Sequence, residues 1–452
     1  MAEISIMKNI PEKVIIPLKQ HNGTVCEPLV SKGDIVKVGQ KIGECTSDIC
    51  AAVHSSICGE VISIEDFPTP SGTKVMSVIL KPTEVAECVD FTPRDATKEE
   101  ELISIIKDAG IVENYGTPTH LVLRPGDGFN IDIVLINATA SEWIWGDYKS
   151  PRDYALQILE SLKLLMKASN ASNGAIVLRN DNSEFISAFD GLVFDGKRLN
   201  VAPLVGKRRA SYYFKDQQSD IVILSQDRIY GQNILNLFTY NVTGRHVPFN
   251  CNPASVGVAI CSVQSAKAFY DVVHNGKPYI ETVVSVSGKV NNPQKILVKI
   301  GTPFKDVIEA CGGYKGEPGK LIANGAITGV AQYVDEVPVT KTTFSITVQD
   351  KSEVLRDEPL PCVHCARCVD VCPVNLIPAR LATLADQGRF DECNQMYVNN
   401  CIECGRCAAS CPSKIPILQL IRYAKVAIKK AYEDVPPKES SNLKLGCSCG
   451  SV

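Results

Sequence analysis

The run Cys362-Val363-His364-Cys365-Ala366-Arg367-Cys368-Val369-Asp370-Val371-Cys372-Pro373 returns as Cys401-Ile402-Glu403-Cys404-Gly405-Arg406-Cys407-Ala408-Ala409-Ser410-Cys411-Pro412. In both, three cysteines stand two residues apart, and a fourth follows after three more residues with a proline behind it. Three thiolates at that spacing curl around one iron–sulfur cubane, each reaching a different iron. The fourth lies too far round the turn and serves the other cluster. The expected ligand sets are therefore Cys362, Cys365, Cys368 and Cys411 for one [4Fe–4S] cluster, and Cys401, Cys404, Cys407 and Cys372 for the second. Proline after the crossing cysteine ends the local turn and sends the chain away. Zinc is the alternative metal, but structural zinc uses paired C-x-x-C knuckles with four thiolates per ion. Full triplets with a crossing cysteine fit it poorly.

Between Cys372 and Cys401 lie 28 residues that read as helix, Gly388, helix. After Pro416, Ile417, Leu420, Ile421 and Ala424 fall on one helical face. Residues 356–432 are thus expected to form an α-helical dicluster ferredoxin. Arg422, Lys425, Lys429 and Lys430 are expected on its solvated face. Each cluster would carry one electron at a time, so the module reads as an electron wire.

The chain has 452 residues and nineteen cysteines, nine of them between Cys362 and Cys411. The N-terminal MAEISIMKNIPEKVII lacks the apolar core of an export signal. A disulfide framework is therefore not expected, and metal ligation is. The net charge of −3 offers no global field for nucleic acid. The longest stretch without Asp, Glu, Lys or Arg, His246 to Ala266, contains two Pro and two Asn, so it is not a membrane span. The expected location is the cytoplasmic side, with any membrane association peripheral.

Outward from the cysteine module the chain reads as multidomain α+β. Residues 1–82 are short β-branched runs punctuated by Gly and Pro. Gly33 to Gly43 (GDIVKVGQKIG), followed by Cys58-Gly59-Glu60-Val61, resembles half of a lipoyl- or biotinyl-type barrel sandwich. The modified lysine of that family would fall near Asp48, and a carboxylate cannot carry an amide-linked prosthetic group. A packing module without a swinging arm is expected. From Glu99 to about 250, helices (EELISIIKDAG, PRDYALQILESLKLLMKAS) alternate with apolar strands (IDIVLINA, GAIVLR, DIVILS), an α/β layer with a mainly parallel sheet. Residues 280–348 read as strand, strand, helix and an extended run. The tail 433–452 is polar and Pro- and Ser-rich.

Several stretches together resemble the RnfC family: Ile16 to Gly23 (IPLKQHNG), Pro68-Thr69-Pro70-Ser71-Gly72, Thr243-Gly244-Arg245-His246-Val247-Pro248, Val256-Gly257-Val258, Gly276-Lys277-Pro278, Ile300-Gly301-Thr302-Pro303, Asp335 to Lys341 (DEVPVTK) and the double cysteine motif. The resemblance covers nearly the whole chain. It implies a barrel-sandwich domain, a domain like the flavoprotein subunit of respiratory complex I, a β-grasp soluble-ligand-binding unit and the ferredoxin, in that order. It also implies a peripheral subunit of the Rnf complex, which moves electrons between ferredoxin and a second acceptor and couples this to Na⁺ or H⁺ transport. The implied partners are the membrane-embedded and ferredoxin-like Rnf subunits, with ferredoxin met directly or through them.

The sequence departs from that family where it handles nucleotides. The glycine-rich loop, GLGGAGFPT in the family, is Val112-Glu113-Asn114-Tyr115-Gly116-Thr117-Pro118-Thr119 here. Side chains there block the close approach of backbone N–H groups to phosphate, and Glu113 repels it. The signature NGAECEPYLT is reduced to Asn137 and Glu142, with Trp143 and Trp145 as replacements that could fill the emptied pocket. A third motif is unrecognisable in residues 205–235. No bound FMN, no NADH chemistry and no catalytic residue within this chain are therefore expected. The terminal acceptor is expected to be other than NAD, of the membrane phenazine or quinone kind used by Rnf complexes of methanogenic archaea. Two other readings remain: a soluble RnfC-like carrier serving another reductase, and a zinc-braced adaptor without catalysis. Cys447 and Cys449 form a C-x-C expected to be unligated. Cys26, Cys45, Cys50 and Cys58 crowd the sandwich as small buried residues, with a further metal site there left open. His364 stands inside the first cysteine loop as a surface residue or a hydrogen-bond donor to the cluster.

Overall fold

The computed structural model describes residues 5–7, 9–84, 87–94, 96, 98–126, 128–139, 151–206, 208–228, 234–354 and 358–433. Glu142, Trp143, Trp145, Cys447 and Cys449 lie outside the described residues. The chain divides into two compact units, one of residues 1–246 and 253–354, the other of 247–252 and 355–451 with the helical cysteine module.

In the larger unit the sandwich is two small sheets face to face. One runs Val14–Pro17, Lys74–Pro82, Gly59–Pro68, Ile35–Val36, all antiparallel; the other runs Glu27–Pro28, Lys41–Glu44, Val53–His54. Valine and isoleucine at alternate positions turn inward, so Val14, Ile16, Ile42, Val53, Val61, Val78 and Leu80 close one core. Each such side chain withdrawn from water contributes about 1.5–3 kcal/mol.

The α/β layer is a five-stranded parallel sheet in the order Val201–Pro203, Ile221–Gln226, Asn173–Arg179, Ile133–Ala138, Val258–Ser262. Its central strands are apolar on both faces, as a sheet covered on both sides requires. One face packs on the Glu99–Asp108, Pro151–Ser169 and Val263–Asn275 helices. Phe238 and Val242 of the Leu235–Thr243 helix cover the other.

The third body is a six-stranded sheet ordered Ser5–Ile6, Gln294–Lys299, Glu281–Gly288, Ser345–Asp350, Pro318–Ala323, Val330–Gln332, with the Phe304–Ala310 helix contributing to its core. One finding departs from the sequence reading. Ser5 and Ile6, assigned above to the sandwich, pair in parallel with Ile296 and Leu297 of this distant sheet. Two residues have no periodicity to read, and their partners lie almost 300 positions away.

Ion pairs join the bodies. Asp108, at the end of the Glu99–Asp108 helix, accepts from Lys41 of the sandwich and from Arg94 Nη1 at 2.7 Å. Partial burial pushes its carboxyl up, yet Lys41 and Arg94 outweigh that and hold it below the ordinary aspartate range. A depressed carboxyl stabilises the fold above its unfolded value, and the contribution disappears as pH falls through the folded value. Asp108→Asn should lower the thermal midpoint at pH 7, and the gap to the parent should close below about pH 4. A gap that stays constant from pH 7 to pH 3 in parallel melting curves would contradict this.

Candidate metal centre

The helical unit is a two-fold repeat at an offset of 39 residues. The short helices Arg367–Asp370 and Arg406–Ala409 correspond, and each carries the third cysteine of its triplet. Backbone reversals correspond too. His364, Ala366 and Asn375 have φ of 52°, 59° and 55°, and Glu403, Gly405 and Lys414 have 54°, 74° and 53°. Five of these six are not glycine, and the left-handed conformation costs of order 1–3 kcal/mol at such positions. What it accomplishes is visible at the sulfurs: Glu403 N–H donates to Cys401 Sγ at 3.4 Å, and Leu376 N–H to Cys372 Sγ at 3.3 Å. A loop wound this way turns backbone donors onto thiolates, and such bonds help set cluster potential.

The repeat is closed by helices, as the sequence pattern implies. Pro378–Asp386 and Phe390–Gln395 flank Gly388, whose φ is 71°. The Ile417–Glu433 helix lays Ile417, Ile421, Ala424 and Ile428 against Leu381, Leu384, Ala385 and Val398. Cys393 belongs to this core, fully buried with its Sγ against Leu381 O at 3.7 Å.

The eight cysteines sort into two groups. Cys404 and Cys407 are buried, Cys401 and Cys372 half-buried. Burial, then the neighbouring thiols of Cys401, Cys404 and Cys372, push the Cys407 thiol up to about 12. Burial and Cys372 likewise push up Cys404. Cys372 thus stands among the second triplet, as the crossing scheme expects. Conversely, Leu360 N–H donates to Ser413 O and Ser413 Oγ to Pro361 O, both at 3.0 Å, which ties the approach to Cys362 to the segment leaving Cys411. Among the described residues, none of these eight thiols takes part in a three-donor group drawn within 4.8 Å. Sulfurs on one tetrahedral zinc would stand about 3.8 Å apart. Four thiols whose charges repel when empty, more widely spaced than zinc requires, are a donor set that fits a cubane. His364 is exposed.

The two halves differ in cover, and here one expectation is corrected. Arg422 and Lys425 are not on a free solvated face. They reach back to Glu403, inside the second cysteine loop, at 2.8 and 2.9 Å, and Lys425 also donates to Cys401 O at 2.6 Å. Burial opposes the charged form of Glu403, but the two cations hold its carboxyl low. Lys429 and Lys430 are exposed. Glu403 was missed by sequence reasoning because nothing in C-I-E-C marks the carboxylate as the anchor of a helix 19 residues away. In the first loop Cys365 is exposed, beside Val363 at 65% exposure.

The position of the nucleotide loop is also defined. Glu113 is fully buried, and its carboxylate accepts from Ser262 N–H at 2.7 Å, Ser265 Oγ at 2.8 Å and Thr119 Oγ1 at 2.9 Å, at the start of the Val263–Asn275 helix. The loop's own N–H groups are spent internally: Glu113 on Thr117 O, Gly116 on Glu113 O, Thr119 on Ile111 O. Asn22 of the sandwich closes over it, donating its N–H to Gly116 O at 2.8 Å. Asn137 Oδ1 accepts from Thr139 N–H and Oγ1.

A barrel sandwich, a parallel α/β domain, a β-grasp-like sheet and a doubled thiol module in one chain define a class, the peripheral iron–sulfur subunits of electron-transfer complexes. The domain models agree: RnfC barrel sandwich hybrid domain at residues 2–85, Nuo51 FMN-binding domain at 106–271, SLBB domain at 283–331 and 4Fe-4S dicluster domain at 361–415. The chain is 52% identical over 429 residues, 95% of each chain, to the RnfC protein of the ion-translocating oxidoreductase complex of Methanosarcina acetivorans. It is 33% identical to the corresponding subunit of the Na⁺-translocating ferredoxin:NAD⁺ oxidoreductase complex of Acetobacterium woodii, over 92% of this chain and 90% of that one. It is 32% identical to the corresponding subunit of the proton-translocating ferredoxin:NAD⁺ oxidoreductase complex of Clostridium ljungdahlii, over 94% and 90%. The chain belongs to the RnfC family.

Glu403→Ala would leave Arg422 and Lys425 without their shared partner. It should lower the stability of the helical unit by about 1–2 kcal/mol, an ion pair intermediate between exposed and buried. Differential melting against Glu358→Ala, an exposed control, reads the effect, and equal midpoints for the two variants would contradict it.

Proposed function

We propose that this chain is the RnfC electron-transfer subunit of a membrane-bound, ion-translocating Rnf oxidoreductase, sitting peripherally on the cytoplasmic face. It passes single electrons between ferredoxin, or a ferredoxin-like partner subunit, and the membrane-embedded subunits. Cys362, Cys365, Cys368 and Cys411 hold one [4Fe–4S] cluster, and Cys401, Cys404, Cys407 and Cys372 the other. The observation that carries this is the placement of Cys372 among the second triplet, together with the tie between Pro361 and Ser413. Bound there, the clusters supply one-electron carriage. The protein's part is to position them, exclude water from Cys404 and Cys407, and donate backbone hydrogen bonds to the thiolates. No helix of the described residues is long and apolar enough to cross a membrane, consistent with attachment through partners.

The second part of the reading concerns the acceptor. The α/β domain has the fold of an FMN-binding domain, but the residues present do not fit the group. A buried carboxylate stands in the phosphate loop, and the N–H groups that would face phosphate are bonded to the loop itself. We therefore take the domain to be a scaffold and the terminal acceptor to be other than NAD, a membrane phenazine or quinone. A soluble carrier or a zinc-braced adaptor has no observation that favours it over this reading.

Anaerobic purification with iron, sulfide and flavin determination tests both parts. The expected content is about eight iron and eight sulfide per chain, flavin far below stoichiometric, and no NADH oxidation. Stoichiometric FMN with NADH turnover would end the second part, and a colourless zinc protein the first. Double variants test the crossing. Cys411→Ser with Cys368→Ser should lose about half the iron, as either does alone, whereas Cys411→Ser with Cys404→Ser should lose nearly all. The reverse pattern would mean each run binds its own fourth cysteine.

A further inference from the structure

The sandwich gathers a second set of soft donors that electron transfer through the helical unit does not use. His21 follows the Val14–Pro17 strand, Cys26 precedes Glu27–Pro28, Cys45 follows Lys41–Glu44, and Cys50 lies just before Val53–His54. A ring nitrogen of His21 and the sulfurs of Cys26 and Cys50 all lie within 4.8 Å of one another. Cys26 Sγ is 3.8 Å from Cys45 Sγ. Cys45 and Cys50 are joined as a disulfide with Cα atoms 5.7 Å apart. His21, Cys26 and Cys50 are buried, at 6%, 1% and 0% exposure. Four donors from four places in the chain converge at one end of a small barrel.

Two features around them point to a cation. The first is His21. Its Nδ1 faces Gly23 N–H at 2.9 Å and its Nε2 faces Ala51 N–H at 3.1 Å. A neutral imidazole has one acceptor nitrogen, not two. One of these contacts must therefore yield, and the nitrogen it frees is available to a metal beside the sulfurs. The second is Lys341, only 2% exposed, whose ammonium donates to Ala52 O and Gly110 O, both at 2.7 Å. Those acceptors are neutral, and Cys26 is the titratable group whose charge favours the ammonium. Zinc with three thiolates and one imidazole carries a net charge of −1, the counter-charge this buried lysine calls for.

We propose that His21, Cys26, Cys45 and Cys50 form a closed tetrahedral zinc site in the reduced protein. Sulfurs on one such zinc, each about 2.3 Å from the metal, stand about 3.8 Å apart, the separation of Cys26 and Cys45. From the disulfide form, a dithiol reductant gives up two electrons and two protons, becoming a disulfide itself and leaving Cys45 and Cys50 as thiols. Zinc then displaces three thiol protons. The site would brace the hairpin tip between Cys45 and Cys50. That tip already offers Asp48 O to His120 Nε2 at 2.9 Å and the Asp48 carboxylate to Lys107 at 3.1 Å, both in the α/β domain. Its neighbour Asn22 closes over Gly116.

The experiment uses the full chain, purified anaerobically with a dithiol and zinc sulfate and then desalted. Metal analysis should find about one zinc per chain besides iron. Zinc-edge X-ray absorption should give three sulfurs at about 2.3 Å and one nitrogen at about 2.0–2.1 Å. Cys26→Ser should lower the zinc at least tenfold and leave the iron unchanged. If that variant does not fold, half-exposed Cys45→Ser should do the same. A four-sulfur shell would mean zinc trapped on the cluster thiols and would overturn the proposal. So would a reduced parent protein with less than about 0.1 zinc per chain, or iron in place of zinc at these residues.

Discussion

A cubane needs four sulfurs pointing inward from different directions, and no short peptide can supply all four alone. The architecture of the helical unit follows from that constraint. Each loop delivers three thiols and lends its fourth across the pseudo-two-fold, so neither loop is complete without the other. The helices between Cys372 and Cys401, and the long helix after Pro416, hold two loops in register more than they build a core of their own. Their interior is small, with Cys393 and a few leucines and isoleucines as its bulk. The left-handed residues at His364, Ala366, Glu403 and Lys414 show where the backbone yields to the sulfur geometry rather than to its own preference.

The covers of the two loops make the repeat asymmetric. Arg422 and Lys425 bind Glu403 in the second loop, while the corresponding position of the first loop, His364, is exposed. Fixed cations near a cluster and low access to water both move its potential, so two equal sets of cysteines can have unequal affinity for an electron. An ordered pair of potentials gives a wire its direction.

Much of this was legible in the sequence because its signals are local. Cysteine spacing, the helical period of Ile417, Ile421 and Ala424, and apolar runs such as IDIVLINA each carry their meaning within a few residues. The loss of phosphate-binding glycines was visible in the same way. What the sequence could not disclose were pairings across the chain: Glu403 with the final helix, Glu113 with Ser262 and Ser265, Lys341 with Ala52 and Gly110. Glu113 is instructive. Read alone it repels phosphate; in place it takes the donors at a helix N-terminus, where a carboxylate is favoured. The gathering of His21, Cys26, Cys45 and Cys50 belongs to the same class, since their spacing matches no motif and only the barrel brings them together.

The strand of Ser5 and Ile6 has a consequence for how the molecule is made. These residues leave the ribosome among the first, yet the strand that receives them ends at Lys299. About two-thirds of the polypeptide must be synthesised before the edge at Ile296 exists to be joined. The sandwich can close in the meantime, but its leading segment waits, and the last β body is sealed by the oldest part of the chain.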